Sequence, residues 1–420
     1  MDRGSLIRAR TEVPAGWVPS RKDSKMKPED GRPCPVCCSA KRRLLYRQRF
    51  IGGPMGDGYD VVVCVSCGAG YADGVPTQLE MDRYYSEQSK YTYDHSGGSE
   101  SAWDMKRFEA TADQIIPHLQ RRDLRILDIG CATGGLLSVF KRRGFANVYG
   151  VDPSPACAEK VGQLYGIKAR AATLAQLADW TERFDLILMV GVLEHLCDVR
   201  DAVEVALRLL RKGGRLYCAV PDVEGLAQCR NAPFQQFSIE HVNFFSIASL
   251  CRLMSECGMT EASSWRWKTE WREDIWEPIA SGLFERGVSP MFPHDAITEA
   301  ALQAYLLFSR EKDKCLIAVI DSLILSHEPI VVWGAGTLAR RLLVETRFAE
   351  ANIVAFVDSN HQLQGSVLAG RPVWHPSRLV DCDAAILICS GSFTREIVEV
   401  IRLQYGRSNR IISLMDGDAT

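Results

Sequence analysis

The feature that most constrains the fold is an alternation of short apolar runs and longer amphipathic runs that begins near residue 122. The runs LRILDIG, NVYGVD, FDLILMV and RLYCAV have strand length, and GGLLSVFKRRG, PACAEKVGQLYG and RDAVEVALRLLRKGG between them have helix length. This alternation predicts an α/β fold in which a doubly wound, Rossmann-like parallel sheet carries helices on both faces. In such sheets, ligands bind beyond the carboxyl ends of the strands, where the strand order reverses.

The turn after the first of these strands carries a carboxylate as well as glycines. Asp128 lies at the strand tip, and Gly130 and Gly134 let the backbone turn tightly and approach a ligand. A carboxylate here would repel a pyrophosphate but attract an ammonium or sulfonium group. Asp152 ends the next strand 22 residues after Gly130, where an acid binds ribose hydroxyls, and Pro153 is grouped with it. An adenosine joined to a cationic amino acid suits both acids, so we predict S-adenosylmethionine (SAM) as the cofactor.

Four of the 15 cysteines form two matched pairs near the amino terminus, whereas most others are scattered singly through apolar segments. Cys34 and Cys37 form one C-x-x-C pair, and Cys64 and Cys67 form a second. This spacing is typical of a zinc ribbon, in which four thiolates close a structural site with no open position for water. The alternative is buried free cysteines with accidental spacing, and Cys38 leaves the register of the first pair open. We predict structural Zn²⁺ as the core of this segment.

A second strand and glycine turn lies nearer the carboxyl terminus. The run IVVWGAGTLARRLL contains Gly334 and Gly336, and Asp358 ends the next strand 24 residues after Gly334. No acid lies in this turn, so on charge alone it could bind a pyrophosphate, including that of a nicotinamide dinucleotide. About 92 residues follow residue 328, which is enough for half of a dinucleotide fold. The sequence therefore predicts a Rossmann-like half-fold here.

Candidate proton acceptors follow the runs FDLILMV and RLYCAV, which we take as the fourth and fifth strands of the sheet. Glu194 and His195 lie in VLEHL, and Glu240 and His241 lie in SIEHVNFFS. Histidine titrates near neutrality, and a carboxylate can orient its ring or stabilise its cation. Adjacent residues cooperate in this way only on a turn, because neighbouring strand residues point in opposite directions. For His195 a helix-start residue is an equal alternative, whereas no helical or alternating stripe explains His241 as core.

Several of these motifs resemble those of class I SAM-dependent methyltransferases. The resemblance covers roughly residues 105–265 and includes the D-x-G turn, the ribose acid, FDLILMVGVLEHL and LLRKGGRLYCAVPD. Ala132 stands where many members have a third glycine. The order of zinc ribbon, methyltransferase domain and glycine-turn carboxyl domain is similar to that of sugar C-methyltransferases. Those enzymes methylate a carbon beside the ketone of a nucleotide-linked deoxysugar.

This second resemblance implies roles for further residues. Members combine a histidine after the fourth strand, matched here by His195, with a Glu-His pair matched by Glu240 and His241. The histidine of the pair is the expected base. Members usually carry a tyrosine two places before the Glu, whereas this chain has Ser238.

The resemblance also implies a lid and a substrate cleft. Tyr91 and Tyr93 fall where the family places a lid tyrosine, which assigns Tyr91 to catalysis and Tyr93 to the substrate; ordinary packing of the ribbon is the alternative. In the family, the carboxyl half-fold helps to form the substrate cleft without using a nicotinamide. The resemblance therefore favours binding of the substrate's diphosphate near Gly334 and Gly336.

These features divide the 420 residues into five segments. We predict a flexible tail (1–27), a zinc ribbon (28–75), a SAM-binding methyltransferase domain (76–268), a helical bridge (269–328) and the substrate-binding half-fold (329–420). The bridge rests on helical spacing of apolar residues in DAITEAALQAYLLFSREKDKCLIAVIDSLILSH. The Trp-rich stretch SSWRWKTEWREDIW is interpreted as a packing seam beside the sheet.

Bulk properties limit the partners and the compartment. The chain has 52 acidic and 50 basic residues, so no global field favours nucleic acid or an anionic membrane. The first twenty residues lack the apolar run of a signal peptide, and nowhere do 18 apolar residues run together. We expect a cytoplasmic protein that acts on a small molecule.

The leading hypothesis is a SAM-dependent methyltransferase that C-methylates a keto-sugar carried on a nucleotide diphosphate, with His241 as proton acceptor. An O-methyltransferase acting on a related sugar or small molecule is the nearest alternative. An NAD-binding oxidoreductase seated on the second glycine turn is a different class. A zinc-scaffolded binding protein that holds the cofactor without turnover is the non-enzyme alternative.

Overall fold

The structure, a computed structural model, describes residues 31–87, 100–229, 231–272, 275–288 and 293–415. Tyr91 and Tyr93 lie outside the described residues. The strands are β1 (Arg42–Arg49), β2 (Gly58–Cys64), β3 (Gly70–Asp73), β4 (Ile126–Ile129), β5 (Val148–Asp152), β6 (Lys168–Ala171), β7 (Phe184–Val190), β8 (Leu210–Pro221), β9 (Asn243–Phe244), β10 (Met259–Arg272), β11 (Ile275–Arg286), β12 (Ile330–Trp333), β13 (Ile353–Val357), β14 (Val367–Leu368), β15 (Arg371–Trp374), β16 (Ala385–Ile388) and β17 (Ile411–Ser413). The α-helices are α1 (Gln78–Glu87), α2 (Ala102–Ile115), α3 (Gly135–Arg142), α4 (Pro155–Tyr165), α5 (Val199–Leu209), α6 (Ile247–Glu256), α7 (Ile297–Ser326), α8 (Thr337–Glu345) and α9 (Thr394–Glu399).

The central sheet has seven strands in the order β10-β11-β8-β7-β4-β5-β6. The strands from β4 to β8 are parallel, and β11 and β10 add an antiparallel hairpin beyond β8. Alternate residues of the inner strands enter two hydrophobic clusters, with Leu127 and Ile187 in one and Ile126 and Leu188 in the other. The sheet is therefore covered on both faces. This arrangement confirms the predicted doubly wound α/β fold, and the strand order reverses between β4 and β7.

The central sheet extends further along the chain than the predicted domain boundary. The boundary at 268/269 falls inside β10, and β11 pairs along β8. The predicted helical bridge over 269–328 therefore begins as sheet, and of its described residues only Ile297–Ser326 form a helix. Most of the Trp-rich stretch forms β10, the strand at the edge of the central sheet. Within it, half-buried Trp265 and Trp267 alternate with exposed Arg266 and Lys268. Period-two alternation of this kind is typical of a strand.

The amino-terminal sheet has the order β1-β2-β3-β9. Its first three strands form an antiparallel meander, and the cysteine pairs lie in the turns that precede β1 and join β2 to β3. The fourth strand, β9, comes from the central segment of the chain and pairs with β3 at Asn243 and Phe244. Because β9 begins two residues after His241, the cysteine-bearing sheet and a candidate base share one short segment.

The carboxyl-terminal sheet has six strands in the order β14-β15-β13-β12-β16-β17. All except β14 pair in parallel, and the strand order reverses between β12 and β16. The inner strands β12 and β16 are buried at every residue. Helix α8 follows β12, and its apolar side packs in one hydrophobic cluster with residues of β12 and β16. This half-fold is the Rossmann-like unit that the second glycine turn predicts.

Candidate functional site

The first glycine turn has the geometry that a closely bound ligand requires. Gly130 has φ +77°, and a Cβ there would lie 2.6 Å from Val192, so both conformation and space demand glycine. Gly134 has φ +93° and caps the amino terminus of α3. Ala132 also has positive φ, at +46°, which accounts for the glycine found at that position in similar turns.

Asp128 and Asp152 lie side by side at the tips of β4 and β5. Each is buried, and burial, with a smaller effect of Asp152, raises the pKa of Asp128 well above its usual range. Burial also raises the pKa of Asp152 to about 6, although backbone N–H groups of Ala132 and Ser154 donate to its two oxygens at 2.9 Å. Pro153 is half-buried between these partners. Two adjacent buried carboxylates form an environment that favours a cation.

A third carboxylate, which the sequence analysis missed, lies on the same turn. Glu100 accepts hydrogen bonds from the Thr133 hydroxyl at 2.5 Å and from the Gly135 N–H at 3.1 Å. Burial raises the pKa of Glu100. It reaches the turn from 28 residues before Asp128, and no local motif marks that tertiary contact.

The structure brings His195 and His241 together beyond the carboxyl ends of β7 and β8. Their ring centroids are 4.8 Å apart and their planes meet at 78°. His241 Nδ1 lies 3.1 Å from Gln236 Oε1. His195 Nδ1 lies 2.9 Å from the hydroxyl of Tyr85 and 3.2 Å from the carbonyl oxygen of Glu240. Because β4, β5, β7 and β8 are parallel, this cluster and the paired aspartates lie on the same edge of the sheet.

Glu240 and His241 lie on a turn, as cooperation between adjacent residues requires. The hydroxyl of Ser238 accepts hydrogen bonds from the N–H groups of Glu240 at 3.1 Å and His241 at 3.0 Å. The Glu240 carboxylate accepts a hydrogen bond from the hydroxyl of Tyr84 at 3.1 Å. The ring of His241 thus contacts the side-chain amide of Gln236, whereas the sequence led us to expect the adjacent carboxylate of Glu240.

Other parts of the chain hold this segment in place. The Tyr59 hydroxyl on β2 donates to the carbonyl of Ser238 at 2.9 Å. The Tyr305 hydroxyl on α7 accepts from the N–H of Gln236 at 3.0 Å. The buried Arg32 guanidinium donates to the carbonyl of Val242 at 3.0 Å. The candidate base is therefore positioned by the amino-terminal sheet and by the long helix as well as by the central sheet.

Two groups of side chains have the composition of metal ligands. The sulfur atoms of Cys34, Cys37, Cys64 and Cys67 all lie within 4.8 Å of one another. The Sγ–Sγ distances are 3.5 Å for Cys34–Cys67 and for Cys37–Cys64. Zinc–sulfur bonds of about 2.3 Å in a tetrahedron require sulfur atoms about 3.8 Å apart, so the group fits a structural metal.

The second group consists of Glu194, His195 and His241, whose ligand atoms also lie within 4.8 Å of one another. Nitrogen and carboxylate ligands of this kind suit several divalent cations. The side chain of Glu194 is buried, and its Oε1 lies 3.9 Å from Nε2 of His195.

The second glycine turn shares two features with the first, a glycine with positive φ and an aspartate that accepts a backbone N–H group of the turn. Gly334 has φ +112°, and a Cβ there would lie 2.7 Å from the carbonyl oxygen of Cys389, so packing against β16 already demands this glycine. Gly336 has open space around its Cα. Asp358 accepts the N–H groups of Ala335 and Asn360, each at 2.8 Å. Gly336 is thus the position where space for a ligand remains.

The strands β4 to β8, the first glycine turn and the acid at the end of β5 all lie in the part of the chain that matches a known protein family. Residues 103–262 match the family described as "Methyltransferase domain". All helices among the described residues are too short or too polar to cross a membrane.

Curated relatives of this chain include ubiquinone biosynthesis O-methyltransferases. That of Rhizobium rhizogenes (strain K84) is 41% identical over 101 residues, which are 23% of this chain and 40% of the relative. That of Azorhizobium caulinodans is 45% identical over 83 residues, which are 19% of this chain and 32% of the relative. This chain therefore spans well under half the length of these relatives.

Two solved structures illustrate the structural likeness. A magnesium protoporphyrin IX methyltransferase from Synechocystis PCC 6803 with bound SAM is 15% identical, with a TM-score of 0.36 over 50% of this chain and 97% of that chain. A 1,6-didemethyltoxoflavin-N1-methyltransferase from Burkholderia thailandensis is 21% identical, with a TM-score of 0.35 over 47% of this chain and 84% of that chain.

Proposed function

We propose that the chain is a SAM-dependent methyltransferase that C-methylates a keto-sugar carried on a nucleotide diphosphate. The observation that carries the proposal is the convergence of His195 and His241 on the sheet edge that also bears Asp128 and Asp152. A base and a site for a cationic nucleoside would then lie at the same edge of the sheet. The sugar and its nucleotide come from the resemblance to sugar C-methyltransferases, whereas the curated relatives carry the name of O-methyltransferases.

The cofactor site follows from the two glycines and the two acids. Gly130 and Gly134 let the backbone approach the cofactor, Asp152 and Pro153 receive the ribose, and Asp128 favours the cationic end. SAM supplies a methyl group that is already activated on sulfur. The protein must therefore align the acceptor with that methyl group and remove a proton where the acceptor needs it.

His241 is the proposed base. If Gln236 Oε1 accepts a hydrogen bond from Nδ1, the lone pair lies on Nε2, which can take the proton from the carbon beside the ketone. The electron pair released by that C–H bond would form the new bond to the methyl carbon while the methyl–sulfur bond breaks, and its electron pair would stay on the sulfur of S-adenosylhomocysteine, the leaving group. Glu240 supports the turn, and His195, held by Tyr85, can stabilise the enolate oxygen by hydrogen bonding. The lid roles of Tyr91 and Tyr93 stay predictions.

We propose structural Zn²⁺ for the four-cysteine group. Four thiolates leave no ligand position for substrate, so the metal would fold the segment rather than take part in methyl transfer. Its effect on the active site would pass through β3, which pairs with β9 beside His241.

A second candidate function is O-methylation, which two observations favour. The relatives are named O-methyltransferases, and Glu194, His195 and His241 lie close enough to share a divalent cation. Such a cation would lower the pKa of a bound hydroxyl acceptor. Under this reading, activity would be lost on chelation under conditions that leave the cysteine group loaded.

The first experiment tests the cofactor. Ligands that bind the folded state raise its apparent melting temperature, so S-adenosylhomocysteine should raise it and NAD should not. No shift with S-adenosylhomocysteine would refute the central assignment, and a shift with NAD that Gly336→Asp abolishes would support the oxidoreductase. Cofactor binding without methyl transfer to any sugar nucleotide would support the non-enzymatic binding protein.

The second experiment tests the base. In deuterated water the proton beside the ketone of a suitable substrate should exchange, and His241→Asn should stop the exchange. His327→Asn is a matched control, because His327 is exposed at the end of α7 in a left-handed conformation that Asn tolerates. Exchange that persists in His241→Asn would show that another group is the base.

A further inference from the structure

The structure contains a half-buried cation that has no ion-pair partner among the described residues. Arg340, on α8, folds back so that Nε donates to the carbonyl of Ala335 at 2.9 Å and Nη1 donates to the carbonyl of Ile51 at 2.8 Å. Within the described ranges, no carboxylate lies in salt-bridge distance of this guanidinium, and Nη2 has no hydrogen-bond partner. Partial burial lowers the pKa of Arg340. A desolvated guanidinium bonded only to neutral carbonyls retains a strong preference for an anion.

The surroundings of Arg340 are shaped for close approach by backbone. Gly52 and Gly53, in the loop between β1 and β2, have φ of +64° and +88°. A Cβ at Gly52 would lie 3.2 Å from Nη1 of Arg340, and one at Gly53 would lie 3.6 Å away. Asp358 is the nearby acid that acts electrostatically on Arg340, but both its oxygens accept backbone N–H groups. The loop therefore contacts the cation without neutralising it.

A cavity is lined by Gly53, the same loop residue that lies close to the guanidinium of Arg340. It has a volume of about 550 Å³ and lies between the loop of Gly53 and helix α1. Its walls include Met55, Val75 and Tyr84, which offer apolar surface and one aromatic ring. Tyr84 also donates to the Glu240 carboxylate, one residue before the proposed base. The cavity wall thus includes one residue near Arg340, Gly53, and one that is bonded to the residue before the proposed base, Tyr84. The volume of the cavity suits a nucleoside.

We propose that Arg340 binds the phosphate groups of the substrate and that the adjoining cavity receives its nucleoside. This proposal rests on the proposed function, because it assigns one end of a substrate whose other end meets His241. It places the glycine loop of the amino-terminal sheet in the substrate site. The carboxylates of Glu80 and Glu87 also line the cavity, so the phosphates would lie on the side of Arg340.

The test measures binding of uridine diphosphate, thymidine diphosphate and inorganic pyrophosphate by thermal shift and calorimetry. We expect at least one nucleoside diphosphate to bind the native protein and Arg340→Gln to weaken it by about tenfold or more, since a charge-assisted bond is lost. Arg340→Lys keeps the charge and should bind at an intermediate level. Arg347→Gln, which removes an exposed cation paired with Glu350, is the matched control.

Val75→Trp separates the two parts of the site. Filling the cavity should weaken nucleoside diphosphate binding and leave pyrophosphate binding unchanged. S-adenosylhomocysteine should bind all variants equally. If S-adenosylhomocysteine binds but no diphosphate does, or if Arg340→Gln and Arg340→Lys both bind diphosphates as the native protein does, this inference is wrong and the methyltransferase assignment stands. If S-adenosylhomocysteine itself fails to bind, the proposed function fails first.

Discussion

Replacing Asp152 by Asn should stabilise the empty protein while it weakens cofactor binding. The carboxylate is buried beside Asp128, and the pKa of Asp152 is raised from 3.8 to about 6. An acid with a raised folded-state pKa binds its proton more tightly in the folded protein than in the unfolded chain. Its ionisation therefore lowers stability progressively as the pH rises from about 4 to about 6.

The magnitude follows from the same pKa values. A rise from 3.8 to about 6 corresponds to about 3 kcal/mol against the ionised form above pH 6. Asn removes this penalty but can accept only one of the two hydrogen bonds from Ala132 and Ser154, which costs about 1 kcal/mol. We expect a net gain of about 2 kcal/mol at pH 8 and none at pH 4. The affinity for S-adenosylhomocysteine should fall about 100-fold, because two charge-assisted hydrogen bonds to the ribose are weakened.

The assay is the melting temperature of the empty variant relative to the native protein, measured from pH 4 to pH 8. The difference should grow in favour of Asp152→Asn as the pH rises from about 4 to about 6, and it should stay constant above pH 6. Asp179→Asn, at an exposed position, should show no such trend. A difference that does not depend on pH would refute the burial argument, and unchanged cofactor affinity would remove Asp152 from the cofactor site.

Three further predictions concern the turn, the metal and the base. Gly130→Ala should abolish S-adenosylhomocysteine binding, measured by calorimetry, and adding Val192→Ala should restore only part of it, since the contact at 2.6 Å is relieved but φ +77° is still strained. Cys37→Ser should release zinc, measured by metal analysis, and lower the rate of methyl transfer more than cofactor affinity. Gln236→Glu should move the acidic limb of the pH–rate profile to higher pH, because a carboxylate stabilises protonated His241. An acidic limb at the same pH as in the native protein would contradict the contact between residue 236 and His241.

The central sheet could be predicted from sequence because its signals are local. The strands β4, β5 and β7 are each a short, mostly apolar run, and Asp128 and Asp152 lie at or next to the carboxyl ends of β4 and β5. The spacing of the two C-x-x-C pairs likewise predicts that their four sulfur atoms lie close together. The parallel sheet then fixes where these residues meet, since the carboxyl ends of its strands share an edge.

The parts that sequence reasoning missed depend on contacts between distant segments. Glu100 reaches the glycine turn from beyond α2, and Tyr85 reaches His195 across 110 residues. The predicted boundary at 268/269 falls inside β10 for a related reason. The pairing of β11 with β8 decides that β10 joins the central sheet, and no feature of the Trp-rich stretch reveals that partner.

The two glycine turns share a backbone design and differ in charge. In each turn, the N–H group of the first glycine donates a hydrogen bond of 2.8 Å to a carbonyl of the neighbouring strand. The acceptor is Val151 for Gly130 and Val357 for Gly334, and in both strands an aspartate follows that valine. In each, that acid accepts one backbone N–H group of the turn, from Ala132 or from Ala335. Two places before the first glycine, however, the first turn has Asp128 and the second has Val332.

The side chains that reach the two turns complete this difference. Glu100 adds a carboxylate to the first turn, whereas Arg340 adds a guanidinium to the second. Because the backbone N–H groups are similar in both, the side chains decide the sign of the ligand charge. The first turn therefore suits a cationic ligand such as the proposed methyl donor, and the second suits an anionic group such as the proposed phosphates of the acceptor.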